Sequence, residues 1–161
     1  MWSVNNLNLT KLMSKLNYID LFAGAGGLSE GFIREKFEPI AHVEMSAEAS
    51  DTLRTRVAFH HFQQKKQLNQ YYTYLKQDIS RNELWNSIPQ ELLESVINEE
   101  ITDKSIENIF EKIDLQLDSK KVDVIIGGPP CQAYSLVGRS RDPNRMKGDK
   151  RNFLFRYYAQ F

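Results

Sequence analysis

Two short segments of the sequence hold the residue types that could do chemistry. One is the glycine-rich stretch 23–27, which follows the apolar run 18–22. The other is Cys131, the single cysteine, which follows two prolines and the apolar run 122–126. Glycine-rich turns between a strand and a helix present backbone N–H groups to nucleotide-like ligands. A cysteine thiolate is a nucleophile. Together the segments predict a ligand cradle beside a reactive thiol.

The glycine turn departs from the dinucleotide-binding fingerprint. That pattern would need a third glycine at position 29, where the chain has Ser29. Glu44 ends the next apolar run, 20 positions after Gly24, about where an acidic side chain accepts hydrogen bonds from a ribose diol. The alternative is a purely structural turn with a surface glutamate.

Cys131 also has two interpretations. A lone cysteine is more often a small buried residue than a nucleophile. Two preceding prolines continue neither strand nor helix, which favours display on a stiff loop. A thiol with an ordinary pKa of about 8.5 needs electropositive surroundings to ionise at neutral pH. Seven basic residues against two acids lie between positions 139 and 156, namely Arg139, Arg141, Arg145, Lys147, Lys150, Arg151 and Arg156. Such a run is usually a solvated face, but beside a thiolate it favours contact with phosphate.

The strands and helices that must position these residues are predicted from the periodicity of apolar residues and from the residues that end or cap an element. Strands are predicted near 18–22, 40–44, 74–78 and 122–127. Helices are predicted from Leu28, from the N-cap Ser46 and from a capping box at Ser80. Residues 59–76 lack clear periodicity and are interpreted as an insertion, whereas 85–117 has a helical pattern. Alternating strands and helices predict a doubly wound, Rossmann-like α/β fold.

Composition limits the remaining possibilities. The chain has 161 residues, 21 basic and 21 acidic, and is 41% hydrophobic, which is typical of one soluble domain. The net charge therefore gives no indication for or against a nucleic acid, membrane or acidic partner. One cysteine excludes an intrachain disulfide, and the three histidines lack metal-ligand spacing, so no metal is expected. No apolar run is long enough to span a bilayer and no signal peptide is apparent, so a cytoplasmic, non-membrane protein is expected.

Residues 20–28 and 128–135 resemble the cofactor and nucleophile motifs of the DNA cytosine-5 methyltransferases. Val43 and Glu44 match the second motif of that family, and Asp78 and Ile79 match the third. The resemblance covers residues 17–161 and leaves 1–16 as an N-terminal extension. It implies the first half of a methyltransferase sheet.

The resemblance implies S-adenosylmethionine as cofactor. Phe22 would pack on the adenine, Glu44 would hold the ribose hydroxyls, and Asp78 would accept from the adenine amino group. The implied cofactor residues are Phe22, Ala23, Gly24, Ala25, Gly26, Gly27, Glu44, Met45, Asp78, Ile79, Pro130 and Leu154. Of these, Met45 and Ile79 would flank the ring, and Pro130 and Leu154 would lie nearest the methyl group.

The resemblance also implies the reaction. Cys131 would add to carbon 6 of a cytosine flipped out of double-stranded DNA, and carbon 5 would take the methyl group. Gln132, Ser135, Arg139 and Arg151 would contact the DNA. A restriction–modification setting is the family-level expectation, and the target sequence is not encoded in these residues.

Three features keep alternatives open. The family's Glu-Asn-Val motif lies downstream of the nucleophile and is absent, whereas the similar 107–109 lies upstream and is interpreted as helix surface. We therefore expect the N-terminal part of an enzyme, inactive alone and in need of a C-terminal region. The alternatives are a tRNA-methylating relative, disfavoured by Ala133-Tyr134-Ser135, and a non-catalytic half of a split enzyme.

Overall fold

The computed structural model describes residues 15–129 and 154–161. Within these ranges one parallel sheet has the order β3-β2-β1-β4. Its strands are β1 (Asn17–Leu21), β2 (Glu38–Glu44), β3 (Val96–Asn98) and β4 (Val124–Gly127). The helices are α1 (Gly27–Arg34), α2 (Ala47–Gln64), α3 (Leu68–Leu75), α4 (Arg81–Asn86), α5 (Gln90–Glu94), α6 (Ile106–Leu117) and α7 (Leu154–Tyr158). The predicted doubly wound α/β fold is confirmed, because this order begins the 3-2-1-4-5-6 series of such sheets.

The two central strands are buried on both faces. Ile19 and Leu21 pack in one apolar cluster with Ile109 and Ile113 of α6. Tyr18 alternates with them along β1 and instead meets the ring of Phe32 on α1, with centroids 5.4 Å apart. Because helices cover both faces, the ends of the strands are where loops approach one another.

The third strand is not where the sequence pattern put it. The strand predicted at 74–78 is wrong, because residues 68–75 form α3 and the third strand is Val96–Asn98. Leu68, Tyr71 and Tyr74 pack against the buried cluster that contains the α2 residue Phe62, so their three-residue spacing is helical. The predicted insertion at 59–76 is likewise regular, since α2 continues to Gln64.

The helical interpretation of 85–117 is only partly right. The segment contains the end of α4, then α5, β3 and α6. Of these, α6 carries a buried helical stripe of Ile106, Ile109 and Ile113. The capping box is confirmed: Glu83 N donates to Ser80 Oγ (3.2 Å) and Ser80 N donates to Glu83 Oε2 (2.8 Å). No helix in the described ranges is both long and apolar enough to cross a membrane.

A polar side chain lies in the centre of β2. His42 is 2% exposed, and its ring meets the edge of the Tyr18 ring at 6.2 Å between centroids. Its Nδ1 has no hydrogen-bond partner in the described part of the chain. Burial, with a smaller contribution from His60, lowers the pKa of His42 to about 4. The folded protein therefore holds this ring neutral.

The buried ring makes stability depend on pH. Between its ordinary pKa of 6.5 and about 4, the unfolded chain binds a proton that the folded chain excludes, so stability falls as pH falls. From pH 7.5 to 5 this one group should cost about 2 kcal/mol. We expect His42→Gln to lose correspondingly less stability over that interval in urea unfolding. Subtracting one protein's stability loss from the other's removes the contribution of all other titrating groups. Equal losses of stability in the two proteins would contradict the low pKa of His42.

A backbone contact joins β1 to β4. Gly127 has φ +143°, and a Cβ there would lie 1.9 Å from the carbonyl oxygen of Leu21. Gly127→Ala should therefore lower the free energy of unfolding by at least about 2 kcal/mol, because backbone must move to admit it. Gly31→Ala is the control, since its Cβ meets nothing within 4 Å in α1 and should stabilise by about 0.5–1 kcal/mol. An unchanged free energy of unfolding in Gly127→Ala would contradict the close approach of Gly127 to the backbone of Leu21.

Candidate functional site

The carboxyl ends of all four strands border one cavity of about 960 Å³. Its lining comes from the ends of the strands and from α7, and comprises Phe22, Val43, Glu44, Met45, Glu99, Glu100, Ile101, Thr102, Asp103, Lys104, Gly128, Leu154, Arg156, Tyr157 and Gln160. Ligands of open α/β sheets bind at this edge, and the volume is in the range of small-molecule sites.

The carboxylate of Glu44 joins two turns at the mouth of the cavity. Gly24 N donates to its Oε2 at 2.8 Å, and Ser46 N donates to its Oε1 at 2.8 Å. Gly24 belongs to the glycine turn after β1, whereas Ser46 is the N-cap of α2 and accepts from Ala49 N. Each oxygen keeps further capacity to accept a hydrogen bond. Glu44 is therefore both a structural clamp and a candidate ligand-binding group.

The glycine turn is tightly wound. Phe22 has φ +57°, which is uncommon for a bulky residue and is typical of strained functional turns. Gly24 and Gly26 also have positive φ, and a Cβ on Gly26 would lie 2.7 Å from Leu53 Cδ2. The turn is held by Ala23 N, which donates to Val43 O at 3.1 Å. It brings the half-buried Phe22 ring to the cavity wall.

The loop after β3 forms a wall that the sequence analysis missed. Glu99 N donates to Glu44 O at 3.0 Å, and Asn98 Nδ2 donates to the carbonyl oxygens of Glu44 and Met45, each at 3.0 Å. The only sequence signal for this strand is the pair Val96-Ile97 followed by polar residues. A strand of three residues is too short to show a periodic pattern.

Helix α7 covers another side of the cavity. Tyr158 Oη donates to Ile125 O at 2.9 Å, which attaches the helix to β4. A hydrogen bond with Asp103, in the loop after β3, raises the pKa of Tyr157. Leu154 of the same helix also lines the cavity. The helix thus bridges two strand ends across the pocket.

The structure brings together some predicted cofactor residues and not others. Phe22, Glu44, Met45 and Leu154 line the cavity, and the turn formed by Ala23, Gly24, Ala25, Gly26 and Gly27 adjoins it through the Gly24–Glu44 bond. Asp78 and Ile79 do not line it. Asp78 is exposed beyond α3, and Ile79 packs in the cluster around Phe62 because residues 68–75 are a helix rather than a strand. Their assignment to the cofactor site stays a prediction.

The remaining predicted site residues lie outside the described residues. These are Pro130, Cys131, Gln132, Ser135, Arg139 and Arg151, and residues 1–14 of the predicted extension are outside them too. Their roles stay predictions. Gly128, three positions before Cys131, lines the cavity. The segment 107–109, which is similar to the Glu-Asn-Val motif, lies in α6 with Glu107 and Asn108 exposed, as predicted.

Comparisons with known proteins agree on one similarity. The family model described as C-5 cytosine-specific DNA methylase matches residues 16–80 and 78–161. A type II methyltransferase of Bacillus paralicheniformis is 40% identical over 88% of this chain and 36% of its own length. A type II methyltransferase of Haemophilus parahaemolyticus is 30% identical over 90% of this chain and 28% of its own length.

A putative type II methyltransferase of Methanocaldococcus jannaschii is 32% identical over 80% of this chain and 39% of its own length. The chain thus spans between 28% and 39% of the length of these three relatives. No solved structure matches it significantly.

Proposed function

Since this chain belongs to the C-5 cytosine-specific DNA methylase family, we propose that the whole protein transfers a methyl group from S-adenosylmethionine to carbon 5 of cytosine in DNA. One observation carries the proposal. The cavity is lined by Phe22 from the glycine-rich motif, by Glu44 from the second motif and by Gly128 from the nucleophile motif, three residues before Cys131. A cofactor pocket and a nucleophile would therefore share one sheet edge.

The residues of the cavity fit this cofactor. The Phe22 ring and the exposed Met45 side chain offer apolar surface for an adenine. Glu44 accepts only one backbone N–H on each oxygen, so two acceptor positions remain for the ribose hydroxyls. When bound, S-adenosylmethionine supplies an electrophilic methyl group.

Cys131 carries the covalent step in this proposal. Its thiolate forms a bond to carbon 6 of cytosine, and the electron pair of the 5,6 double bond makes carbon 5 nucleophilic. Once carbon 5 holds the methyl group, loss of its proton re-forms the double bond and expels the thiolate. A soft nucleophile of this kind divides one difficult substitution into easier steps.

The proposed partner is double-stranded DNA with the target cytosine flipped from the stack, which costs a few kcal/mol. Gln132, Ser135, Arg139 and Arg151 are proposed to contact it, in a segment rich in basic residues. The description of the family favours DNA over tRNA, and the names of two relatives, both type II methyltransferases, support a restriction–modification setting.

Residues 1–161 by themselves are proposed to be inactive. The relatives are between about 2.6 and 3.6 times as long as the part they share with this chain, which spans 39% to 28% of their length. Target selection and the acid that assists the ring are assigned to the rest of the protein, and general acid–base assistance is typically worth about 10²–10⁴ in rate.

The nucleophile assignment has a direct chemical test. In the whole protein, Cys131→Ser should abolish methyl transfer, because a serine hydroxyl is far less nucleophilic at neutral pH. It should also abolish the covalent adduct with DNA containing 5-fluorocytosine, which cannot lose a proton from carbon 5. Denaturing gels report the adduct, and the same DNA with ordinary cytosine is the control. An adduct formed by the serine variant would rule out Cys131.

The cofactor assignment predicts a second result. Glu44→Ala should weaken S-adenosylmethionine binding by about 1.5–3 kcal/mol in calorimetry, the scale of hydrogen bonds to a charged group. Glu48→Ala is the matched control, since its exposed carboxylate accepts from Ser46 Oγ but does not line the cavity. Urea unfolding separately measures any stability that the variant loses with the hydrogen bonds from Gly24 N and Ser46 N. Unchanged affinity in Glu44→Ala would refute the role.

A further inference from the structure

Helix α1 begins directly after the glycine turn and lacks the usual support at its first residue. Its N-cap is Gly26, which has φ +82° and offers no side chain to accept from the first turn of the helix. Helix α2, by contrast, begins at Ser46, whose hydroxyl accepts from Ala49 N. Other contacts must therefore fix the start of α1, and with it the backbone of the turn.

An ionic cluster of Glu30, Arg56 and His60 joins the first turn of α1 to the middle of α2. Arg56 Nη1 donates to Glu30 Oε1 at 2.9 Å, and His60 Nε2 donates to the same oxygen at 2.8 Å. Because Arg56 and His60 are four residues apart on α2, both side chains reach Glu30 from one face of that helix.

The cluster is largely shielded from water. The side chains of Glu30 and His60 are 20% and 14% exposed, so their contact is screened less than a surface pair. Burial by itself would raise the pKa of Glu30, but the hydrogen bonds and charges of His60 and Arg56 outweigh it and lower that pKa. Buried ion pairs add little net stability, which directs attention to what this cluster positions.

Arg56 also packs against the glycine turn. A Cβ on Gly26 would lie 3.4 Å from Arg56 Cδ, beside the contact with Leu53. Arg56 Nε is buried and has no hydrogen-bond partner in the described part of the chain, so the bond to Glu30 orients the guanidinium. One side chain thus contacts the turn and pairs with the helix that follows it.

The glycine turn therefore has two connections to α2. On one side, the Glu44 carboxylate joins Gly24 N to Ser46 N at the start of α2. On the other side, the ionic cluster joins α1 to the same helix farther along. None of the three cluster residues lines the cavity, so they do not contact a ligand bound there.

We infer that Glu30, Arg56 and His60 are positioning residues, which hold the glycine turn in its ligand-binding conformation before the cofactor arrives. This inference rests on the proposed function. A protein that holds its binding conformation for only a fraction of the time binds the ligand more weakly by that fraction. Losing the cluster therefore weakens cofactor binding although no atom of the cluster touches the cofactor.

Binding and hydrogen exchange of the whole protein test this role. Glu30→Ala removes both contacts, and alanine is a good helix former. Its dissociation constant for S-adenosylhomocysteine should rise about tenfold in calorimetry, as for a turn in its binding conformation about a tenth of the time. Without ligand, the amides of Ala23 and Gly26, which are hydrogen-bonded at the turn, should exchange faster. A merely structural role would lower the free energy of unfolding and leave both readouts unchanged.

Two substitutions of Arg56 separate its charge from its packing. Arg56→Met keeps an apolar stem over Gly26 but loses the pair with Glu30, and should weaken binding about fivefold because only His60 still holds Glu30. Arg56→Lys keeps the positive charge on a long stem and should stay within about twofold of the unaltered protein. Arg56→Met also tests the inference if Glu30→Ala does not fold.

Asp51→Ala is the matched control. Asp51 lies on α2 and has two ion pairs, with Arg54 Nη1 at 3.3 Å and Arg81 Nη2 at 2.8 Å. Arg81 begins α4, so neither pair reaches α1. Asp51→Ala should lower the free energy of unfolding but change neither the affinity for S-adenosylhomocysteine nor hydrogen exchange in the turn.

The outcomes separate this inference from the proposed function. Unchanged affinity in folded Glu30→Ala or Arg56→Met overturns the inference and leaves the proposed function intact. An equal loss of affinity in Asp51→Ala also overturns it, because any ion pair of α2 would then have the same effect. Failure of the unaltered protein to bind S-adenosylhomocysteine overturns both.

Discussion

Residue 44 is the point on which the arrangement of the site depends. Its carboxylate accepts from the backbone of the glycine turn and from the first residue of the α2 cap, each at 2.8 Å. Its carbonyl oxygen accepts from Glu99 N and Asn98 Nδ2. One residue at the end of a central strand thus fixes three connecting segments. Because charge-assisted bonds to backbone are among the stronger ones, the cavity wall is held in place before any ligand arrives.

The sheet that carries Glu44 has an apolar side and a partly polar side. On the α6 side, aliphatic residues of β1 and β2 form a continuous core. On the α1 side, Asp20 is 1% exposed and accepts from Ser29 Oγ at 2.6 Å, while burial raises its pKa. That bond joins β1 to the first turn of α1, on either side of the glycine turn. Buried polar groups of this kind cost stability unless paired, and here the pairing holds the shape of the turn.

The cavity is assembled from segments distant in sequence, which is the general property of strand ends in a parallel sheet. Helix α7 completes it through tyrosine contacts to β4 and to the loop after β3. The helix follows the segment that contains the proposed nucleophile, so that segment leads directly into one wall of the cavity. Membership of a DNA methylase family is consistent with such an arrangement, because base and cofactor must meet at one place.

The sequence by itself determined the α/β class, the two central strands, the caps at Ser46 and Ser80, and the glycine turn with Glu44, because each has a local signal in spacing or residue type. It could not determine the third strand. Val96–Asn98 is too short to show a period, and the aromatic residues of α3 look like a strand until their packing on Phe62 is known. Only the tertiary structure decided which acidic residues besides Glu44 line the cavity: Glu99, Glu100 and Asp103 do, and Asp78 does not. The physical reason is that strand pairing decides which loop borders the pocket. The strand beside β2 pairs with it between residues more than 50 positions apart in sequence, which no local pattern shows.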